Sequence, residues 1–211
     1  MKIVILHGLF MNKIIMAPLA NRLVQLGHIV ENISYPSTKA DKEKLFHSID
    51  KRVGDGPTVL LGHSLGGLVA TEYLFTRQVS VERVPLVITL GTPHQGAQIA
   101  EDMKKVNIQH LLGSSTQFGL LPKRFTKSWP VPQKLISIAG SIKIGARPLL
   151  DRVWRDGVED SDGTVSIAET RIPGMTEHIV LNQTHTSLVY SKDVVSIIDE
   201  RCKALVSDPD H

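Results

Sequence analysis

The chain is short of several things, and each shortage excludes something. Its 211 residues hold one cysteine, Cys202, so no intrachain disulfide can form and nothing in the sequence calls for an oxidising compartment; a reducing cytoplasm suits it. No apolar run approaches the ~20 residues a spanning helix requires. The opening run Ile3 to Leu6 is broken by His7 and Gly8, short of the ~7 to 15 apolar residues of a leader's central region, so it reads as a first strand. Aromatics are only 5% of the chain, and its 24 basic side chains are interspersed with 21 acidic ones for a net charge of +3. That is too even a mixture for a nucleic-acid binder. Internal repeats and linkers are also absent.

What remains is an ordinary core-forming composition, 42% hydrophobic and 21% charged, in a length that suits one domain over residues 1–211. Ile3 to Leu6, Ile29 to Tyr35, Thr58 to Leu61 and Leu86 to Leu90 are short apolar runs of the kind buried on both faces of a sheet. Between them lie helical stripes: Ala17, Leu19, Ala20, Leu23, Val24 and Leu26 before Gly27; Leu45, Phe46, Ile49 and Val53 before Gly54; and a third helix from about Leu65 to Thr76. Lys134 to Ala139 and Glu177 to Leu181 read as two further strands, Lys192 to Val206 as a closing helix and Ser207 to His211 as a frayed tail. Strict alternation of strand and helix predicts an α/β fold, a parallel sheet with helices on both faces. From Thr92 to about Gln133 the pattern weakens, which predicts an insertion, about 94–133, roofing the sheet as a lid or pocket cover.

Gly62-His63-Ser64-Leu65-Gly66 fits G-x-S-x-G between a predicted strand and a predicted helix, the setting in which that string presents a nucleophilic serine. Ser64 needs a base to take its proton. Of nine histidines, His63 is too near Ser64 along the turn to serve, and His28, His47, His110 and His211 fall on helices, insertion or tail. His185 follows the last strand and precedes the last helix, at the carboxyl edge where α/β sheets gather active groups. A carboxylate should orient it. Asp162, in the polar turn Glu159 to Gly163, is the best placed, with Asp160 and Asp156 as rivals. The histidines show no metal-ligand spacing, and the chemistry needs neither metal nor cofactor.

Four segments carry a resemblance. His7-Gly8-Leu9-Phe10 is similar to the oxyanion loop, Gly62 to Gly67 (GHSLGG) to the nucleophile elbow, Gly91-Thr92-Pro93-His94-Gln95-Gly96 to the GTPH-x-G segment, and Asp162-Gly163-Thr164-Val165 to the acid turn of the α/β-hydrolase family. Within it, the chain most resembles the small lidless or short-lidded bacterial lipases and esterases. The resemblance implies a Ser64–Asp162–His185 triad, an oxyanion hole made by the backbone N–H groups of Leu9 and Leu65, and a GTPH-x-G segment bracing the wall beside the serine. Substrate-lining candidates are Phe10, His63, Thr92, Leu120, Leu121 and Trp129. Because the HG loop here follows the first strand, whereas the fuller family has two strands before it, the expected sheet is minimal: six strands in the order 2-1-3-4-5-6.

The implied activity is hydrolysis of a small-molecule or lipid carboxylic ester through an acyl-enzyme. Acyl transfer or thioester cleavage on the same triad, and a non-catalytic binding module of the same fold, are the alternatives. Lys123, Arg124 and Lys127 beside Phe125 and Trp129 read first as a solvated face, and second as a weak contact with an anionic membrane surface. Oligomeric state is left open.

Overall fold

A computed structural model describes residues 1–96, 118, 128–144 and 160–207. Six parallel strands form one sheet: β1 (Lys2–Leu6), β2 (Ile29–Ile33), β3 (Thr58–His63), β4 (Leu86–Leu90), β5 (Lys134–Gly140) and β6 (Glu177–Leu181). Their spatial order is β2-β1-β3-β4-β5-β6, the expected 2-1-3-4-5-6. Among the described residues, the helices α1 (Lys13–Gln25), α2 (Lys42–Val53), α3 (Leu65–Arg77) and α4 (Lys192–Ser207) pack on it.

The period-2 alternation of each strand divides the core in two. Val4, Leu6 and Leu60 point to one face with Leu45, Phe46 and Ile49 of α2 and Leu68, Val69 and Tyr73 of α3. Ile3, Ile5, Val59 and Leu61 point to the other, against Met16, Leu19 and Leu23 of α1 and Val194, Val195 and Ile198 of α4. Burial on both faces is why the central strands read as unbroken apolar runs rather than alternating ones.

Several boundaries differ from the sequence expectation. Helix α1 starts at Lys13, upstream of Ala17, because the Asn12 side chain caps it by accepting from Ile14 N–H at 2.9 Å, and the helix tolerates Pro18 within it. Strand β2 stops at Ile33. Tyr35 beyond it leaves the ladder to stack on His7, ring centroids 4.1 Å apart. Ser207 closes α4, its hydroxyl donating to the Lys203 carbonyl, rather than opening a tail. Of the roof insertion only Phe118 and the residues from 128 onward, with those up to Gly96, are described. Phe118 is buried beside Phe46. Leu111, Leu112, Leu120, Leu121, Lys123, Arg124, Phe125 and Lys127 lie outside the described residues, as do His110, Asp156, Glu159 and His211. Among the described residues no helix is long and apolar enough to cross a membrane.

Candidate active site

Connectivity puts the site at one place. From β1 the chain winds outward to β2, then crosses back over β1 to β3, so the topological switch point lies between the carboxyl ends of β1 and β3, where such sheets leave a crevice. The loop His7 to Phe10 leaves β1 there, and Ser64 leaves β3.

Ser64 takes φ 53° and ψ −121° between β3 and α3, a conformation that costs a non-glycine residue energy unless its surroundings enforce it. They do. Its N–H donates to the Leu90 carbonyl at 2.8 Å, carrying the β3–β4 ladder one step past the strand. Its own carbonyl accepts from the Thr92 hydroxyl at 2.9 Å and from Gly67 N–H at 3.1 Å. The turn is tight enough that a Cβ on Gly66 would collide with the Leu6 backbone carbonyl. These bonds satisfy the serine's backbone and leave its hydroxyl without a hydrogen-bond partner among the described residues.

Across the sheet edge, His185 follows β6 and is held by Asp162 twice: its Nδ1 lies 2.7 Å from Asp162 Oδ2, and its backbone N–H donates to the Asp162 carbonyl at 2.8 Å. The second carboxylate oxygen, Oδ1, accepts the N–H groups of Thr164 at 3.0 Å and Val165 at 2.8 Å. Asp162 is thus a buried carboxylate, 1% exposed, with both oxygens engaged, which fixes the orientation of the face it turns to the imidazole. A carboxylate oxygen can only accept, so the Nδ1 that faces Asp162 carries a proton, while Nε2 has no hydrogen-bond partner among the described residues. Both groups lie against Gly91 at the end of β4: a Cβ there would stand 2.9 Å from Asp162 Oδ2 and 2.9 Å from His185 Nδ1. Asp160 is elsewhere, exposed and paired with Lys143 at 2.9 Å.

The remaining sequence-derived candidates divide. Leu9 N–H and Leu65 N–H have no protein acceptor among the described residues. For Leu65 this follows from its place at the first position of α3, where no intrahelical carbonyl is within reach. Phe10 is 65% exposed with φ 57°, its N–H donated to the Ser37 hydroxyl at 3.0 Å. Thr92 is fully buried and braces the serine's carbonyl rather than lining an open surface. His63 is buried as well, with its Nε2 2.9 Å from the His185 carbonyl and its ring 4.7 Å from the His185 ring. Trp129 is half-buried, its indole N–H donated to the Gln133 carbonyl at 2.6 Å and its ring near-perpendicular to that of His94, centroids 6.0 Å apart. Of the six lining candidates, His63 and Thr92 are buried, Trp129 is half-buried, Phe10 is exposed, and Leu120 and Leu121 lie outside the described residues.

Burial sets the charge state of the surrounding imidazoles. His63 is pushed down to about 3, first by desolvation and then by the neighbouring His185. Desolvation also takes His94 down to about 3 and lowers His7. Among the described residues no group of three or more His, Cys, Asp or Glu side chains is gathered as metal ligands would be. Sequence reasoning missed the His7–Tyr35 stack and Ser37. These depend on how β2 ends, which no motif encodes.

Comparison with known proteins places this architecture. No curated protein matches the sequence. Among solved structures, a Bacillus licheniformis lipase, BlEst2 in mature form, superposes with a TM-score of 0.68 at 20% identity, covering 95% of this chain and 91% of that one. A pyrethroid hydrolase, PytH, gives 0.64 at 14% identity over 99% and 98%, and a monoacylglycerol lipase from Paleococcus ferrophilus 0.59 at 13% over 95% and 93%. At these identities the likeness is one of fold, that of the α/β hydrolases. A family model, by contrast, matches the sequence itself over residues 43–199, from α2 into the first half of α4, and on that match the chain belongs to the PGAP1-like alpha/beta domain family.

Proposed function

We propose that the protein is a serine hydrolase of carboxylic esters, working through an acyl-enzyme on Ser64, His185 and Asp162. The observation that carries this reading is the buried Asp162 carboxylate 2.7 Å from His185 Nδ1, at the same sheet edge as a serine held at positive φ on the switch-point strand. His185 Nε2 takes the Ser64 proton as the hydroxyl attacks the acyl carbonyl. Asp162 keeps the imidazole in the right tautomer and stabilises its cation. The oxyanion that forms is met by Leu9 N–H and Leu65 N–H, both unspent on acceptors among the described residues. His185 then protonates the leaving alcohol and activates the water that releases the acid. The last hydrogen bond, from Ser64 to His185, is one that unliganded sites of this kind often close only with substrate present. The names of the structural neighbours, a lipase, a pyrethroid hydrolase and a monoacylglycerol lipase, favour an ester over other acyl compounds.

The test is labelling by a fluorophosphonate probe together with hydrolysis of p-nitrophenyl esters of graded chain length. Labelling and turnover in the wild type, both lost in Ser64→Ala, are expected. A folded wild type that neither labels nor turns over, or a Ser64→Ala protein that still labels, overturns the reading.

A further inference from the structure

His63 stands next to Ser64 in the chain, yet its side chain belongs to the other half of the site. Alternation along β3 turns it to the face of Val59 and Leu61, and there its Nε2 lies 2.9 Å from the carbonyl of His185, 122 residues away in sequence. A carbonyl can only accept, so Nε2 carries the proton and Nδ1 is a bare lone pair. That Nδ1 is buried without a hydrogen-bond partner among the described residues. It looks onto the loop after β1, where a Cβ on Gly8 would come within 3.0 Å of it. An unsatisfied buried acceptor is unusual and unfavourable, so an aliphatic side chain of similar size would pack here better, apart from the one hydrogen bond. The hydrogen bond is thus what distinguishes histidine at this position.

Among the described residues, His185 has three polar attachments. Asp162 makes two, to the ring and to the backbone N–H; His63 makes the third, to the backbone carbonyl. Only the third comes from the strand that bears the serine. We infer that His63 is a positioning residue: its N–H ties the loop of the general base to the nucleophile's strand and so fixes the separation of Ser64 and His185. The inference rests on the proposed serine chemistry and deepens it. His63 itself touches no substrate, and it stays neutral through the cycle, so that its proton remains on Nε2 when His185 becomes a cation beside it.

The experiment compares His63→Gln, which keeps a donor near the Nε2 position, with His63→Met, of similar length and lacking one. The readouts are kcat and KM on p-nitrophenyl butyrate, the fluorophosphonate labelling rate and the pH profile. Misplacing a reacting group by about 1 Å can cost on the order of 10²-fold. His63→Met is therefore expected to lose ~10²-fold in kcat and in labelling rate with KM within about two-fold, and His63→Gln to recover at least a factor of about ten of that loss. Nitrogen NMR of the wild type supplies a check that needs no variant: the His63 ring should remain the neutral, Nε2-protonated tautomer from pH 8 to pH 5. A wild type that labels while His63→Met matches it in kcat overturns the inference alone. So does a His63→Gln no better than His63→Met, or a His63 ring protonated on Nδ1. A folded wild type that fails to label overturns it together with the reading of Ser64.

Discussion

At the residue scale, the sequence alone left three acidic side chains in contention for the base's partner, and the structure separates two of them by a single contact. Asp162 has one oxygen on His185 and the other on two backbone N–H groups; Asp160 faces solvent and pairs with Lys143. If the proposed triad operates, Asp162→Asn presents an amide where an acceptor is needed. This favours the wrong imidazole tautomer, and kcat should fall about 10⁴-fold, as in other serine–histidine–aspartate sites. Asp160→Asn removes only an exposed ion pair, of the class worth about 0 to 1 kcal/mol, and its kcat should stay within about two-fold of wild type. Steady-state kinetics on both variants decides the matter. Equal losses would reject Asp162 as the orienting acid. Spacing and chain order nominated Ser64 and His185 but left the carboxylate open among three; the contact between Asp162 and His185 is what the structure adds. The inward turn of His63 and Thr92 was not legible either, since a motif records which residue occupies a position and says nothing of whether its side chain meets solvent.

At the element scale, the strands were the most readable parts because a doubly covered parallel strand must be continuously apolar, and β1, β3 and β4 are buried almost throughout. Ends were harder to read. The start of α1 depended on the Asn12 cap, which lies upstream of Ala17, the first position of the apolar stripe, and the helix runs on through Pro18. The region from 97 to 127 offers neither period, and of it only Phe118 is described. The join between β3 and α3 makes a sharper demand: the helix begins so close to the β1–β3 ladder that residue 66 can have no side chain. Gly66→Ala would drive a methyl into the Leu6 carbonyl, which is backbone within β1 and cannot rotate away. Overpacking of this kind costs about 1 to 3 kcal/mol and more where nothing yields, so loss of at least about 2 kcal/mol in chemical denaturation is expected. Gly56→Ala is the control, since a Cβ there meets nothing within 4 Å; its unfolding free energy should change by less than about 0.5 kcal/mol. If the two variants unfold together, the close approach at the elbow is not the constraint described.

At the scale of the whole molecule, one consequence of burying a site among histidines is sensitivity to acid. His63 and His94 are held near 3 and His178 near 4, each chiefly by desolvation, whereas in the unfolded chain each titrates at about 6.5. Between those values the unfolded state binds more protons than the folded one. Stability therefore rises with pH across the window, and on acidification it is lost from about 6.5 downward until the folded-state values are reached. The carboxylates held low by ion pairs, such as Glu177 on Arg201 and Asp199 on Lys203 and His28, act in the same direction, but only as the pH nears about 4, where unfolded carboxyl groups take up protons. Among the described residues, the shifts that act between pH 7 and pH 5 are those of the imidazoles. Each fully buried one contributes about 2 kcal/mol at pH 5, from about 1.4 kcal/mol per unit over about 1.5 units. His94→Gln removes one such group while leaving an amide to meet the Thr89 hydroxyl that His94 Nε2 now contacts at 3.1 Å. Its Tm should drop less than that of the wild type on going from pH 7 to pH 5, by about 4 to 8 °C at the sensitivity usual for chains of this length. Parallel Tm curves for the two proteins would mean that His94 takes up its proton as readily folded as unfolded, and that the acid response originates elsewhere.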